Sequence, residues 1–384
     1  MDWRVPLSDL DYGPEEEQAV VNVLRSRWLT MGAVTQRFEQ AFAEFVGARH
    51  AIAVSSATAG LHLACLTLDL KPDDEVILPA LTFVATAAAV RYVGATPVFA
   101  DIQSETDLTV SPASIEQRIT PRTKAIIVMH YGGYACDMPA IEKIAQKHNL
   151  ALIEDAAHAP GAELDGRKMG VWGDVGVFSF FSNKNLATGE GGMLTTNQDA
   201  LAEKIRRLRS HAMTSLTWDR HQGHAWSYDV TDLGYNYRPS EIISALGLVQ
   251  LQKLEKNNRR RRELTACYHH LLEEKCPGVT LPFRLHGGVS ACHILPILLP
   301  KQIERAGFMA SMKSNGIQTS IHYPPVSDFS FYRASNLGQD VLPLTRQVAN
   351  REVTLPMYPT LTLEEVEMVV AVVGEALNES LKVS

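Results

Sequence analysis

The chain has 384 residues, 46% of them apolar and 21% charged, with a formal net charge of −7. These are the proportions of an ordinary globular protein, long enough for one large and one smaller domain, and the acidic balance argues against nucleic acid, whose phosphates need a basic face. Five scattered cysteines with no CxxC pair indicate neither a disulfide framework nor a zinc site. No apolar run is long enough for a bilayer and the N-terminus lacks a signal-peptide core, so a cytoplasmic protein is expected.

Residues 14–27 read as an amphipathic helix and Thr30–Gly32 as a turn. A second helix, Gln36–Phe45, carries Phe38, Phe42 and Phe45 at helical spacing, which predicts core positions. The apolar strand Ala51–Val54 runs through Ser55-Ser56-Ala57-Thr58-Ala59-Gly60 into a helix marked by Leu61, Ala64, Cys65 and Leu68. Strand, small-residue turn and helix together aim backbone N–H groups at an anion. The Gly-x-Gly-x-x-Gly spacing of a dinucleotide site is missing, so a nicotinamide cofactor is disfavoured.

Strands follow at Glu75–Pro79, Thr96–Ala100, Lys124–Met129 and Leu150–Ile153. An alanine-rich helix after Thr86 and a helix Pro139–His148 lie between them. Such alternation predicts a parallel sheet with helices on both faces, whose ligands collect beyond the carboxyl ends of the strands. Thr58, Phe83, His130, Asp155, His158 and Ser179 all fall there. A buried strand Gly176–Phe181 breaks at Ser182-Asn183-Lys184-Asn185, passes Gly189-Glu190-Gly191-Gly192 and resumes at Met193–Thr196.

A helix Gln198–Ser210 precedes a less regular segment, His211–Asp232, with Trp218 and Trp226. A long helix from Ser240 to about Leu272 then suggests a hinge between a large domain, 1–250, and a smaller α+β domain, 251–384. Within this helix Arg259–Arg262 reads as a solvated face or an intersubunit contact. The smaller unit is expected to hold a strand His293–Leu299, a helix Gln302–Asn315, a strand Thr319–His322 and a final helix opened by the capping box Thr362-x-x-Glu365.

The chemistry centres on Lys184. A loop lysine more often points into water, and an aspartate ending a strand more often caps the next helix. A lysine between two buried strands, however, loses its proton readily and attacks carbonyls. Asp155, 29 positions upstream, is the carboxylate that would keep a pyridine nitrogen protonated. With a phosphate cradle at Thr58 and Ser179 and an aromatic lid at Phe83, these residues describe pyridoxal phosphate.

The motifs Val54-Ser55-Ser56-Ala57-Thr58-Ala59, Pro79-Ala80-Leu81-Thr82-Phe83-Val84-Ala85-Thr86, Glu154-Asp155-Ala156-Ala157-His158-Ala159, Phe178-Ser179-Phe180 leading to Lys184-Asn185, Leu233-Gly234-Tyr235-Asn236-Tyr237-Arg238, Ile321-His322-Tyr323-Pro324 and Leu355-Pro356-Met357-Tyr358-Pro359 resemble the DegT–DnrJ–StrS family of sugar aminotransferases. Nearly the whole chain is covered. The resemblance implies a fold-type I transferase, with a mixed, mostly parallel seven-stranded sheet between helices and a smaller C-terminal α+β domain.

It also implies roles. Lys184 would hold the cofactor as a Schiff base and shuttle a proton, Asp155 would pair with the ring nitrogen, and His158 would meet the ring hydroxyl. Phe83 would stack on the ring; Thr58, Ala59 and Ser179 would bind the phosphate. Asn236 would reach the phosphate of a neighbouring subunit in a homodimer, and Arg238 and His322 would lie near substrate. L-glutamate is the expected donor and a nucleotide-linked 3- or 4-keto sugar the expected acceptor. A keto-cyclitol or other non-nucleotide ketone stays open, and a non-catalytic cofactor-binding protein is the distant alternative. Where the family has Ser-Gly-Thr this chain has Ser56-Ala57-Thr58, which suggests a tighter turn.

Overall fold

A computed structural model describes residues 3–215, 223, 227–335, 337 and 341–383; Trp218 and Trp226 of the irregular segment lie outside them. The opening helices are α1 (Pro14–Ser26) and α2 (Ala33–Val46). In the order of the chain, β1 (His50–Val54), α3 (Ala57–Thr67), β2 (Glu75–Pro79), α4 (Val84–Tyr92), β3 (Thr96–Ala100), the short α5 (Pro112–Glu116), β4 (Thr123–Met129), α6 (Met138–His148) and β5 (Ala151–Asp155) follow. A small hairpin, β6 (Glu163–Leu164) and β7 (Arg167–Lys168), leads to β8 (Val175–Ser179), β9 (Gly192–Thr196) and α7 (Asp199–Leu208).

Among the described residues seven strands form one sheet in the order β1-β9-β8-β5-β4-β2-β3. Its β8–β5, β5–β4, β4–β2 and β2–β3 pairs are parallel, and β9 runs against both neighbours. This is the predicted mixed, mostly parallel sheet. Its central strands are short, five to seven residues, and mostly buried on both faces because helices cover each side. Phe38 and Phe42 of α2 pack on Phe178 and Phe180, with ring centroids 4.9 Å apart for Phe42–Phe178 and 5.4 Å for Phe38–Phe180. On the other face Leu61, Leu63 and Ala64 of α3 pack with Ile52, Val177 and Leu194.

The single helix α8 (Glu241–Lys275), 35 residues long, spans about 52 Å at 1.5 Å per residue. It continues into β10 (Leu295–Leu298), α9 (Arg305–Ser314), α10 (Ser330–Ala334), α11 (Pro343–Ala349), β11 (Glu352–Leu355) and α12 (Leu363–Val383). Strands β10 and β11 pair antiparallel, and Leu264, Tyr268, Leu272, Ile297, Val353, Val366 and Val370 share a third apolar core. The predicted capping box forms at α12: Glu365 N–H donates to Thr362 Oγ1 at 3.1 Å and Thr362 N–H to Glu365 Oε2 at 2.8 Å.

Three readings are corrected. Thr319–His322 is not a strand: one antiparallel bridge, Ser320 to Thr354, is all it forms, because His322 N–H donates to the Glu352 carboxylate at 2.8 Å in place of a β11 carbonyl and its own carbonyl accepts from the Tyr131 hydroxyl. The strand expected from His293 begins at Leu295, since Ala291 and His293 donate their N–H groups to Gly133 and Gly132 carbonyls instead. The run Arg259–Arg262 is not uniformly solvated either, as Arg261 is only 3% exposed; the helical period turns one position in four inward.

The carboxylate of Glu241 fixes how α8 meets α2. It accepts from Gly32, Val34 and Thr35 N–H groups at 2.8–2.9 Å and from the Thr35 hydroxyl at 2.6 Å, satisfying first-turn donors that α2 cannot pair itself. Replacing Glu241 with alanine should therefore lower the unfolding free energy by about 2–4 kcal/mol, read as a reduced denaturant midpoint with an unchanged slope.

Candidate active site

The carboxyl ends of β1, β2, β4, β5 and β8 converge on one edge of the sheet and place the predicted residues there. Asp155 ends β5 and Ser179 ends β8; Lys184 sits in the turn beyond β8, its N–H donating to Phe181 O at 2.8 Å. Phe83 immediately precedes α4, stays half exposed and tilts against Tyr323 at 5.9 Å. His322 and Tyr323 arrive from the C-terminal part of the chain.

Asp155 is buried. Its Oδ2 accepts from the Thr86 hydroxyl at 2.7 Å and its Oδ1 from Ala157 N–H at 3.2 Å. Thr86 spends its one proton on Asp155, so the 2.8 Å contact with Thr82 makes the Thr82 hydroxyl the donor there. Burial pushes the Asp155 carboxyl upward, against the opposing pull of the Thr86 hydroxyl, Ala157 N–H and the charges of Lys184 and His130. Lys184 keeps some surface, yet protein atoms surround its amine; desolvation brings it from 10.5 down to about 8, with the Asp155 charge holding it up.

His158 is buried, and its Nδ1 accepts from Gly132 N–H at 3.3 Å. Its Nε2 therefore carries the proton of the neutral ring and donates to Tyr323 Oη at 2.9 Å. Burial first, then the Lys184 and His322 charges, hold His158 well below the usual histidine range. His322 Nδ1 meets Thr354 Oγ1 at 2.8 Å, and the Thr354 hydroxyl donates to Glu352 Oε1 at 2.6 Å; burial brings His322 down to about 4.

The anion cradle begins at α3. Ser56 is its N-cap, with Oγ accepting from Ala59 N–H at 3.1 Å, so the Ala59 donor is engaged within the cap. Thr58 contributes one of the first-turn N–H groups that a helix leaves without an intrahelical partner. Ala57 takes the first position of α3, where alanine loses less backbone entropy on folding than glycine would. Gly192 packs directly beneath: a Cβ on it would lie 2.7 Å from Ala57 N and Ser56 C. Gly191, at φ 152, lies where side chains are disfavoured.

Asn236 and Arg238 form a separate group. Asn236 is exposed and pairs with Ser210, while Tyr237 O accepts from Ser55 N–H at 2.8 Å. They flank the cradle from outside and do not join Lys184 and Asp155 in one chain. Burial, then the Arg209 charge, lowers Arg238.

Sequence reasoning passed over Tyr323, Thr86 and His293. Thr86 and Tyr323 lie within the family-like motifs with no role of their own, and His293 reads in the sequence only as the start of a strand. Yet His293 Nε2 lies 3.5 Å from Lys184 Nζ.

The DegT/DnrJ/EryC1/StrS aminotransferase family profile matches residues 11–374. The spore coat polysaccharide biosynthesis protein SpsC of Bacillus subtilis is 40% identical over 372 residues, 95% of each chain. Spr1654 of Streptococcus pneumoniae, solved in a PLP form, superposes with a TM-score of 0.90 at 28% identity, covering 98% of this chain and 99% of that one. DesI, solved in the presence of its TDP-sugar product, gives a TM-score of 0.88 at 30% identity and coverage of 100% and 95%.

In the cofactor-free full-length chain, acetylation of Lys184 by acetic anhydride should rise with a midpoint near pH 8, well below surface lysines. Asp155→Asn should move that midpoint lower still, because the lost carboxylate charge is what holds the amine up; peptide mass spectrometry reads both.

Proposed function

The chain belongs to the DegT/DnrJ/EryC1/StrS aminotransferase family, and on that premise we propose that it transfers an amino group from L-glutamate to C3 or C4 of a nucleotide-linked keto sugar, using pyridoxal 5′-phosphate. The observation that carries this reading is an amine brought down to about 8 beside a buried carboxylate, at the ends of the adjacent strands β5 and β8. The donor set fits the cofactor: one nucleophilic amine for an aldehyde, one protected carboxylate for a ring nitrogen and one helix N-terminus for a phosphate. When bound, the cofactor supplies a protonated ring that accepts the electron pair left by a breaking Cα–H bond.

The chain's own residues do the rest. Lys184 Nζ would hold the cofactor and, once displaced, carry the proton between donor carbon and cofactor, as base and then as acid. An amine near 8 suits both tasks, since neither protonation state is far away at neutral pH. Asp155 would pair with the ring nitrogen, its geometry set by Thr86 and Ala157. His158 would lie beside the ring with its orientation fixed by Gly132 and Tyr323, and Phe83 would cover one face. Thr58 and Ser179 would receive the phosphate, joined by Ala59 once its N–H leaves the Ser56 cap, and Asn236 would reach it in a second copy, which makes the working unit a homodimer. Arg238 and His322 would border the substrate.

Under this reading residues 1–250 form the cofactor-binding unit and 251–384 the smaller one. The likeness to DesI, solved with a TDP-sugar product, supports a nucleotide-linked acceptor.

The test is mass spectrometry on protein loaded with pyridoxamine phosphate and mixed with nucleotide-linked 3- and 4-keto sugars and keto-cyclitols. An aminated nucleotide sugar is expected; amination of a cyclitol alone would overturn the acceptor assignment. Lys184→Ala should lower amination by about 10³-fold or more while the chain stays folded by circular dichroism.

A further inference from the structure

Lys184 Nζ has a neighbour with no role in the reading above. His293 stands 3.5 Å from it through Nε2, is 4% exposed, and faces His158 with ring centroids 4.4 Å apart. Which of its nitrogens carries the proton can be deduced from a chain of contacts that ends on two backbone carbonyls.

Pro160 O can only accept, so the Asn258 atom 2.8 Å from it is the amide Nδ2, and Asn258 Oδ1 faces the other way. Asn185 Nδ2 donates to that Oδ1 at 2.8 Å and to Ala291 O at 2.7 Å. This fixes Asn185 Oδ1 as the acceptor turned toward His293, at 2.9 Å from Nδ1. Nδ1 must then be the protonated nitrogen, and Nε2 is left with a lone pair. A neutral ring is enforced further by its surroundings: burial first, then the positive charges of Lys184 and Arg261 and the repulsion that His158 or His322 would add on protonation, hold His293 well below the usual range. Asp155 faces the amine itself.

The backbone of this residue is pinned as firmly as its ring. His293 N–H donates to Gly132 O at 2.8 Å, and the buried Arg261 Nη1 donates to His293 O at 3.2 Å and Met357 O at 3.0 Å. Asn258 and Arg261 are three positions apart on one face of α8. The inward arginine of the basic run is thus a clamp on the segment that carries His293.

We propose that His293 is a positioning residue for the Lys184 amine, presenting a fixed Nε2 lone pair, in the neutral tautomer imposed by Asn185 and Asn258, as the acceptor of a hydrogen bond from Nζ. The imidazole does not take the proton. A neutral amine that donates one N–H to Nε2 turns its own lone pair away from the imidazole, which restricts the directions in which it can attack. The ammonium form donates more strongly to the same lone pair, so His293 offsets part of the desolvation that drives the amine down. The proposal rests on Lys184 being the reacting amine, but its test does not depend on turnover.

The first measurement is histidine side-chain nitrogen NMR on the full-length, cofactor-free protein labelled with ¹⁵N-histidine. His293 should show a protonated Nδ1 and an unprotonated Nε2, unchanged between pH 6 and 9 in a range set about the ordinary histidine value. A protonated Nε2, or an imidazolium in that range, overturns the proposal. The second is the acetylation midpoint of Lys184. His293→Leu keeps the site dry but removes the acceptor, and should lower the midpoint by about one pH unit, a tenfold shift in the protonation equilibrium; His293→Gln returns an acceptor and should restore most of it. An unmoved midpoint in His293→Leu, or no restoration in His293→Gln, overturns it. Should His293→Leu fail to fold, the NMR result on the unaltered chain decides. If amination fails in the keto-sugar assay while both results stand, the substrate reading falls and the His293 assignment survives.

Discussion

The site depends on holding an amine and a carboxylate out of water at the same sheet edge without letting them neutralise each other into a rigid ion pair. Desolvation disfavours the charged form of each, bringing the amine down to about 8 and pushing the carboxyl upward. What makes the arrangement tolerable is that the buried groups facing them have directed partners: Thr86 and Ala157 for Asp155, Gly132 and Tyr323 for His158, and Asn185 for His293. A half-satisfied network of this kind would be worse than an apolar core.

These partners come from distant parts of the chain, and α8 is the element that assembles them. Its first residue, Glu241, caps α2. About two to three turns on, Gln250 and Lys253 bind Glu16 at 2.8 Å and 2.9 Å. This fixes the N-terminal arm, whose Tyr12 hydroxyl donates to Ala187 O beyond the lysine at 2.6 Å. Farther along, Asn258 and Arg261 hold the segment at 291–293, and the last turns bury Leu264, Tyr268 and Leu272 in the third core. One stiff rod therefore sets both the floor of the sheet and the approach of the C-terminal strands.

The parts of the molecule visible in the sequence are those governed by local physics. Short apolar strands alternating with helices announce a parallel sheet, Asp155 and Ser179 fall at its carboxyl ends, and Lys184 stands out in a turn between two apolar runs. The capping box at Thr362 was equally plain, since it needs only residues three apart. The parts that escaped reading depend on contacts across more than a hundred positions. His293 begins a hydrophobic run, and nothing local reveals that its N–H is taken by Gly132 or its Nδ1 by Asn185. Arg261 looks like its three neighbours, and only the packing of α8 separates it from them. Thr319–His322 has strand-like composition, but His322 gives its N–H to the Glu352 carboxylate and not to the backbone of β11.

The use of asparagine in the relay has its own logic. A carboxylate at position 185 would accept equally well from His293 Nδ1–H, but its charge would favour an imidazolium. Two cations would then face each other across the 3.5 Å that separates Nε2 from Nζ, and the ring would lose the lone pair it offers the lysine. It would also lose the Nδ2 donors that bind Asn258 Oδ1 and Ala291 O, leaving two buried acceptors unpaired. An amide satisfies all three contacts with no net charge. The polarity of the chain, read from Pro160 O through Asn258 and Asn185 to His293, runs in one direction only, and it ends on the Nε2 lone pair that faces Lys184 Nζ.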